Sequence, residues 1–366
     1  MKEITSRQFA IFSVLLLLGM KMLIFPSIIA QSAKHDSFFS IAISVGIELL
    51  ILLPVVFLIK KNPDTTFMQL LTKKFGKLGA IIVMTLFILF FLTKLIYALQ
   101  EEYSFLLNNM YSQLNWIFYF VPVMFLLIFL AAKGVRTVGR SCEIFFVFIV
   151  VTIVAMIFIE TFDVNLATNL PLFEFGVAPM FEGVLKSSFW CGNSLLLLLL
   201  MGKINIQKAF VSKTMIYTSL AAAFLVGFMF IFTSLFDVTA AFFQFALVDI
   251  TVVTPYISDL GTLDWVIIIM WNIALLLLSG ILISVLALAI KDTYGFKNTT
   301  LPALILGGVC ITISLINDCS FLNIIAIVTG DFIYVSLGFY ALFLLITLLL
   351  FIKKQKRGKY EKNNIS

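Results

Sequence analysis

The sequence predicts an all-α polytopic membrane protein of about ten transmembrane helices. It is expected to fold as a five-plus-five inverted repeat with helices 1 and 6 broken and both termini cytoplasmic. Three observations carry that expectation. First, the 366 residues are 62% hydrophobic and 12% charged, too little polar surface for a domain in water. Second, the apolar residues fall into runs long enough to cross a bilayer, with basic residues gathered on alternate connections. Third, the first and sixth runs are interrupted near their centres, as the first helix of each repeat would be.

The spans are expected at residues 8–31, 37–59, 78–107, 116–132, 141–161, 183–202, 214–236, 264–290, 299–317 and 331–352. They form one integral membrane domain, with a first repeat over 8–161, a second over 183–352 and a basic cytoplasmic tail over 353–366. Lys60, Lys61, Lys73, Lys74 and Lys77 lie on one connection, Lys133, Arg136 and Arg140 on another, Lys203, Lys208 and Lys213 on a third, and Lys353, Lys354 and Arg357 in the tail. The opposite side carries, at span ends and on connections, Glu101, Glu102, Glu160, Asp163, Glu174, Asp237, Asp249 and Asp318 with almost no Lys or Arg. The positive-inside rule therefore places both ends in the cytoplasm and requires an even number of spans. The net charge of +6 reports this orientation and contact with anionic lipid, not nucleic acid. Residues 62–76 read as a short amphipathic helix on the cytoplasmic face. Residues 237–262, the longest outer connection, read either as a re-entrant or surface helix able to act as a lid, or as a packed loop.

The first run is too long for a signal-peptide core and lacks a small-residue cleavage site, so it is expected to stay as a helix. Cys142, Cys191, Cys310 and Cys319 are scattered, which offers neither a disulfide framework nor a metal site. The single histidine, His35, reads as a solvated loop residue beside Asp36. There is no H-E-x-x-H, no Walker loop and no nucleophile with an obvious base, so neither an enzyme nor a cofactor is expected.

Residues 8–31 would make an ordinary spanning helix but for Gly19, Lys21 and Pro26. About 18 Å of helix, at ~1.5 Å per residue, separates Phe9 from Lys21. That is about half of a ~30 Å hydrocarbon core, so the ammonium reaches neither surface easily. A bare lysine at that depth costs about 2.5–3.5 kcal/mol on insertion scales. A helix that loosens over Gly19, Met20 and Lys21 and restarts before Pro26 surrounds the charge with free carbonyls. In the sixth span the small and polar residues Cys191, Gly192, Asn193 and Ser194 separate two apolar halves. Gly192 alone also fits helix packing, and it is the pair of interrupted helices that suggests a central ligand site.

Three further ionisable groups lie within spans: Glu48 in the second, and Lys94 and Glu101, flanking Tyr97, in the third. Such groups face the bundle interior and have partners. Lys21, Glu48, Lys94 and Glu101 are thus an expected charge network, read either as a structural ion pair of Glu48 with Lys21 or Lys94, or as a site whose spare positive charge a substrate carboxylate neutralises. Lys21 itself is open to three roles: pairing with Glu48, replacing a cation, or meeting a carboxylate. Asn272, Ser279 and Ser284 of the eighth span read as helix-bridging groups.

The opening Ile4-Thr5-Ser6-Arg7-Gln8, the Gly19 to Pro26 spacing, the segment from Lys133 to Ile144 containing Gly134, Gly139 and Glu143, Asn169-Leu170-Pro171, and Leu263-Asp264-Trp265 with Trp271 resemble the endospore germination permeases. These are B-subunits of nutrient-germinant receptors, similar to amino acid/polyamine/organocation transporters with a LeuT-like fold. The resemblance runs over roughly residues 4–290. It implies binding of a small nutrient, typically an amino acid, in a transporter-like cavity, and action with an A-subunit and a lipoprotein C-subunit in the inner spore membrane. The chain departs from the family where Gly-Glu is usual at the sixth-helix break and Gly192-Asn193 stands here. It departs again near Met201-Gly202, where a proline is usual, and at Ser112 to Trp116, which lacks the usual Thr-Pro. The expected ligand-binding residues are Gly19, Met20, Lys21, Tyr97, Cys191, Gly192, Asn193 and Ser194. A cation-coupled amino-acid transporter and a ligand-free assembly scaffold are the alternatives to a sensor.

Overall fold

The computed structural model describes residues 3–111, 113, 115–160, 170, 172–253, 263–316 and 320–351. Ser112, Leu114, Asp163, Asn169, Pro171, residues 254–262 of the outer connection, Asp318, Cys319 and the tail over 353–366 lie outside the described residues. The helices are α1 (Ser6–Leu18), α2 (Phe25–Ala33), α3 (Ser37–Lys61), α4 (Phe67–Asn109), α5 (Trp116–Lys133), α6 (Val135–Glu160), α7 (Ala178–Lys186), α8 (Phe210–Phe236), α9 (Ala246–Val253), α10 (Leu263–Tyr294), α11 (Thr300–Ile316), α12 (Phe321–Val328) and α13 (Phe332–Phe351).

Among the described residues, seven helices are long and apolar enough to cross a membrane, or up to nine if each of two bent pairs is one span. One of the seven runs from Phe25 to Lys61 and so holds both α2 and α3, which meet at the Lys34–Asp36 turn, where Lys34 has φ +50°. Joining α2 instead to the short apolar α1 recovers the ten expected spans. The expected short helix over 62–76 is the start of α4, set off from the long span by a kink at Gly76 with φ +78°. The ninth span ends in a 99° bend between α11 and α12.

Burial separates inner from outer helices. The most apolar window of the α10 span is 89% buried, against 28% for α5 and α6, so α10 is a central post and α5 and α6 face outward. It packs on α4, α5 and α6, while α1 and α3 pack on α8. All but one residue of α1 are buried.

A small clasp anchors the broken helices. Strands Ile4–Thr5 and Ile204–Asn205 pair in parallel, joining the entry to helix 1 to the exit from helix 6. Thr5 and Gln8 then form a reciprocal capping box that satisfies free N–H groups at the start of α1. The Gln8 amide donates to Glu143 (2.9 Å), and Gly139 sits against the Gln8 side chain, where an added Cβ would lie 3.1 Å away. Two of the sequence segments that carry the family resemblance are therefore in contact. At the start of α5, Asn115 accepts from the Ile117 N–H (3.0 Å) and caps the helix where the family's usual Thr-Pro is missing.

The opposite end corrects one expectation. His35 is only 12% exposed: Nδ1 lies 2.9 Å from Asp237 and Nε2 3.7 Å from Glu174, and the ring stacks on Phe175. It is a latch among three connections, because the positive φ of Lys34 turns the chain toward them. The described part of the outer connection is packed: Ala246, Leu247, Val248, Ile250 and Thr251 are buried, and the Ala246 N–H donates to Leu23 in the helix-1 break (3.2 Å). Burial pushes the Asp249 carboxyl in α9 up to about 6, against the opposing effect of the Phe245 N–H that donates to it.

Candidate functional site

Helix 1 stops because residues 19–24 take up turns instead of continuing the helical ladder. The Lys21 N–H returns to Leu18 (2.9 Å) in a tight turn, and the Leu16 and Leu23 carbonyls are left for other partners. Pro26 sits in the first turn of α2, where its missing N–H is not needed. Helix 6 stops differently. After α7 and a turn at Ser188–Trp190, Gly192 adopts φ +68°, and the chain continues as a 3-10 helix over Asn193–Leu200. That is long for this conformation, whose runs seldom exceed about four residues. An added Cβ at Gly192 would stand 2.1 Å from the Tyr340 ring, so glycine is required by both φ and space.

Asn193 joins the two breaks. Its Nδ2 donates to the Leu16 carbonyl of helix 1 and to Trp190 of helix 6, both at 3.0 Å. Its Oδ1 accepts from Lys94 Nζ at 2.5 Å. Lys94 Nζ also donates to the Cys191 carbonyl (2.5 Å) and reaches the Tyr340 hydroxyl (3.4 Å). The rings of Phe90, Phe91, Phe189 and Tyr340 surround this ammonium at 5.3–5.7 Å. The Tyr340 hydroxyl in turn donates to Cys191 (2.6 Å) and lies 3.0 Å from the Ser188 carbonyl. Spans 3 and 10 thus supply donors for the carbonyls freed by the helix-6 break.

The second charge cluster stands beside it. Lys21 Nζ lies 3.8 Å from Glu48 Oε2, with both side chains buried, so of the two expected partners Glu48 pairs with Lys21. The other Glu48 oxygen accepts from the Ser194 N–H (2.8 Å) and from its hydroxyl. Among the described residues neither Lys21 Nζ nor Glu48 Oε2 has a hydrogen-bond partner. Among the described residues Lys94 makes no ion pair within 4 Å. Tyr97 accepts from the Trp190 indole (3.2 Å) and donates to Glu101 (3.0 Å). Glu101, which also accepts from the Ile24 N–H of the helix-1 break, therefore belongs to a neighbouring group of residues from helices 1, 3 and 6, beside the Lys21–Glu48 pair.

The fold brings Lys21, Glu48, Lys94, Cys191, Gly192, Asn193 and Ser194 together, with Gly19 and Met20 in the same break. The Gly19 position packs on Leu278 of α10. Tyr340 and the phenylalanine cage were not anticipated. Tyr340 is one of four hydroxyl side chains in the tenth span, with Tyr334, Ser336 and Thr347, and nothing in the sequence singles it out; nor does anything mark Phe90 or Phe91 among 40 phenylalanines.

A bundle of about ten helices with the first and sixth broken against each other defines a multi-pass, transporter-like membrane protein of the LeuT-like fold. The fold is similar to that of MhsT in complex with L-phenylalanine, at 13% identity, TM-score 0.65, over 94% of this chain and 90% of that one. A manganese transporter of Eremococcus coleocola, in complex with an aromatic bis-isothiourea substituted compound, gives 13% identity and TM-score 0.61 over 94% and 78%. Mhp1, a nucleobase-cation-symport-1 family transporter in a closed conformation with bromovinylhydantoin bound, gives 14% and 0.61 over 94% and 79%. Residues 3–322 match the spore germination protein family of permeases, and the chain belongs to that family. A comparison with curated proteins gives no match.

Proposed function

We propose that the chain is the transporter-like membrane subunit of a spore germinant receptor. It binds a small nutrient, of the amino-acid class, between the two helix breaks, and the resulting closure is read by an A-subunit and a lipoprotein C-subunit in the inner spore membrane. Both termini face the cytoplasm in this reading. The observation that supports it is the direct tie between the breaks: Asn193 of helix 6 donates to Leu16 of helix 1, so a molecule seated there changes the relation of the two halves. MhsT, of similar fold, is described in complex with an amino acid. A ligand shifts such a bundle only by its differential affinity for the open and closed states.

The test is binding and uptake of labelled amino acids by the full chain in proteoliposomes, alongside germination of spores carrying the same chain. Saturable binding without accumulation, together with a germination response to the same compound, is expected. Accumulation in the vesicles would favour a coupled transporter, and a germination response without binding would leave the chain an assembly scaffold.

A further inference from the structure

The two buried lysines are partnered in different ways. Lys94 is fully buried, and an ammonium has three N–H donors. All three have acceptors here: the Cys191 carbonyl, Asn193 Oδ1 and the Tyr340 hydroxyl. A carbonyl freed by a helix break, an amide oxygen and a cage of aromatic faces are the chemistry that recognises a ligand's ammonium group. The position is already filled by the protein's own side chain, and its charge has no carboxylate partner within 4 Å among the described residues. Lys21 is the converse. Its charge is opposed by Glu48 at 3.8 Å, yet its buried Nζ makes no hydrogen bond among the described residues. Two lysines against one glutamate leave one positive charge, and idle N–H donors point to where an anion belongs.

We propose that Lys94 is a built-in ammonium occupying the amine position of the site, and that the ligand is recognised as a small monocarboxylate whose carboxylate is taken by Lys21. This rests on the reading that the two breaks form the ligand site and narrows its ligand class. An α-amino group adds no affinity, because its acceptors are already taken. Asn193 belongs to the same arrangement: as a neutral acceptor it serves Lys94 without cancelling its charge.

The test is calorimetric binding to the full chain in lipid nanodiscs, using L-alanine, L-valine and L-phenylalanine, the corresponding acids without the amino group (propanoate, 3-methylbutanoate, 3-phenylpropanoate), and the amides of those acids. For the side chain that binds best, the desamino acid is expected within about threefold of the amino acid and the amide at least about tenfold weaker. In Lys94→Met a preference for the amino acid over its desamino acid should appear, since the vacated cradle then accepts the ligand's own ammonium. A purely structural lysine would not produce that gain. The wild-type series stands by itself if Lys94→Met fails to fold. An amino acid that binds wild type more than about threefold more tightly than its desamino acid overturns the inference while leaving the ligand site intact. Absence of binding by every compound overturns both.

Discussion

The helix-1 and helix-6 breaks hold a lysine each, and the two are satisfied in opposite ways. Among the described residues Lys21 has a carboxylate within 4 Å and no hydrogen bond, whereas Lys94 has its hydrogen bonds and no carboxylate within 4 Å. Charge compensation and donor satisfaction are separate requirements of a buried ammonium, and in most buried ion pairs one partner meets both. Here they are met at different places, which leaves the Lys21 donors unused among the described residues. The backbones differ as well. Gly19 has an ordinary φ of −57°, and its break is a run of turns; Gly192 needs φ +68° and contact with the Tyr340 ring.

The largest effect that sharpens this comparison is expected for Glu48→Gln. It leaves Lys21 buried without its counter-charge, a change worth about 3–5 kcal/mol for a buried pair broken on one side. Denaturant unfolding in micelles measures it, and most of the loss should return in the Lys21→Met, Glu48→Gln double variant. A loss under about 0.5 kcal/mol would mean that the two groups do not hold each other in place.

Next come the glycines. In Gly192→Ala the left-handed backbone costs about 1–2 kcal/mol, and the clash with Tyr340 adds overpacking of about 1–3 kcal/mol. In Gly19→Ala no backbone strain arises, but the methyl meets the Leu15 carbonyl at 2.8 Å and Leu278 at 3.1 Å. Its loss should lie at the lower end of the same ~1–3 kcal/mol overpacking range. Equal losses in paired thermal melts would remove the claimed difference between the breaks.

The smallest effect concerns Asp249, on the helix whose first N–H is tied to the helix-1 break. Burial raises its carboxyl from an ordinary 3.8 to about 6, so the folded state holds the proton more tightly than the unfolded chain. Its contribution to stability is therefore fully present below pH 3.8 and is lost as pH rises through about 6. The melting temperature should rise as pH falls across that window, and Asp249→Asn should flatten that part of the slope.

Much of this was readable in the chain. Gly19, Pro26 and the Cys191–Ser194 stretch mark the breaks because local conformational preference decides where a helix stops. Glu48, Lys21 and Lys94 stand out because charge is rare in an apolar span. Glu48 with Lys21 was one of two pairings the sequence offered, and the choice between them was not readable. Spacing along helix 3 places Lys94 on a face but does not say which helix that face meets; only packing brings it to the Cys191 carbonyl. Tyr340 supplies its hydroxyl to helix 6 from far along the sequence, and His35 finds Asp237 because Lys34 bends the chain. Contacts of that range leave no periodic trace.

The most direct measurement is an electron cryomicroscopy structure of the chain with the compound that triggers germination. The account predicts ligand density between Gly19–Lys21 and Cys191–Ser194, with its anionic group against Lys21 Nζ and Lys94 still on Cys191 and Asn193. Ligand density elsewhere, with both breaks and Lys21 unchanged, would contradict it.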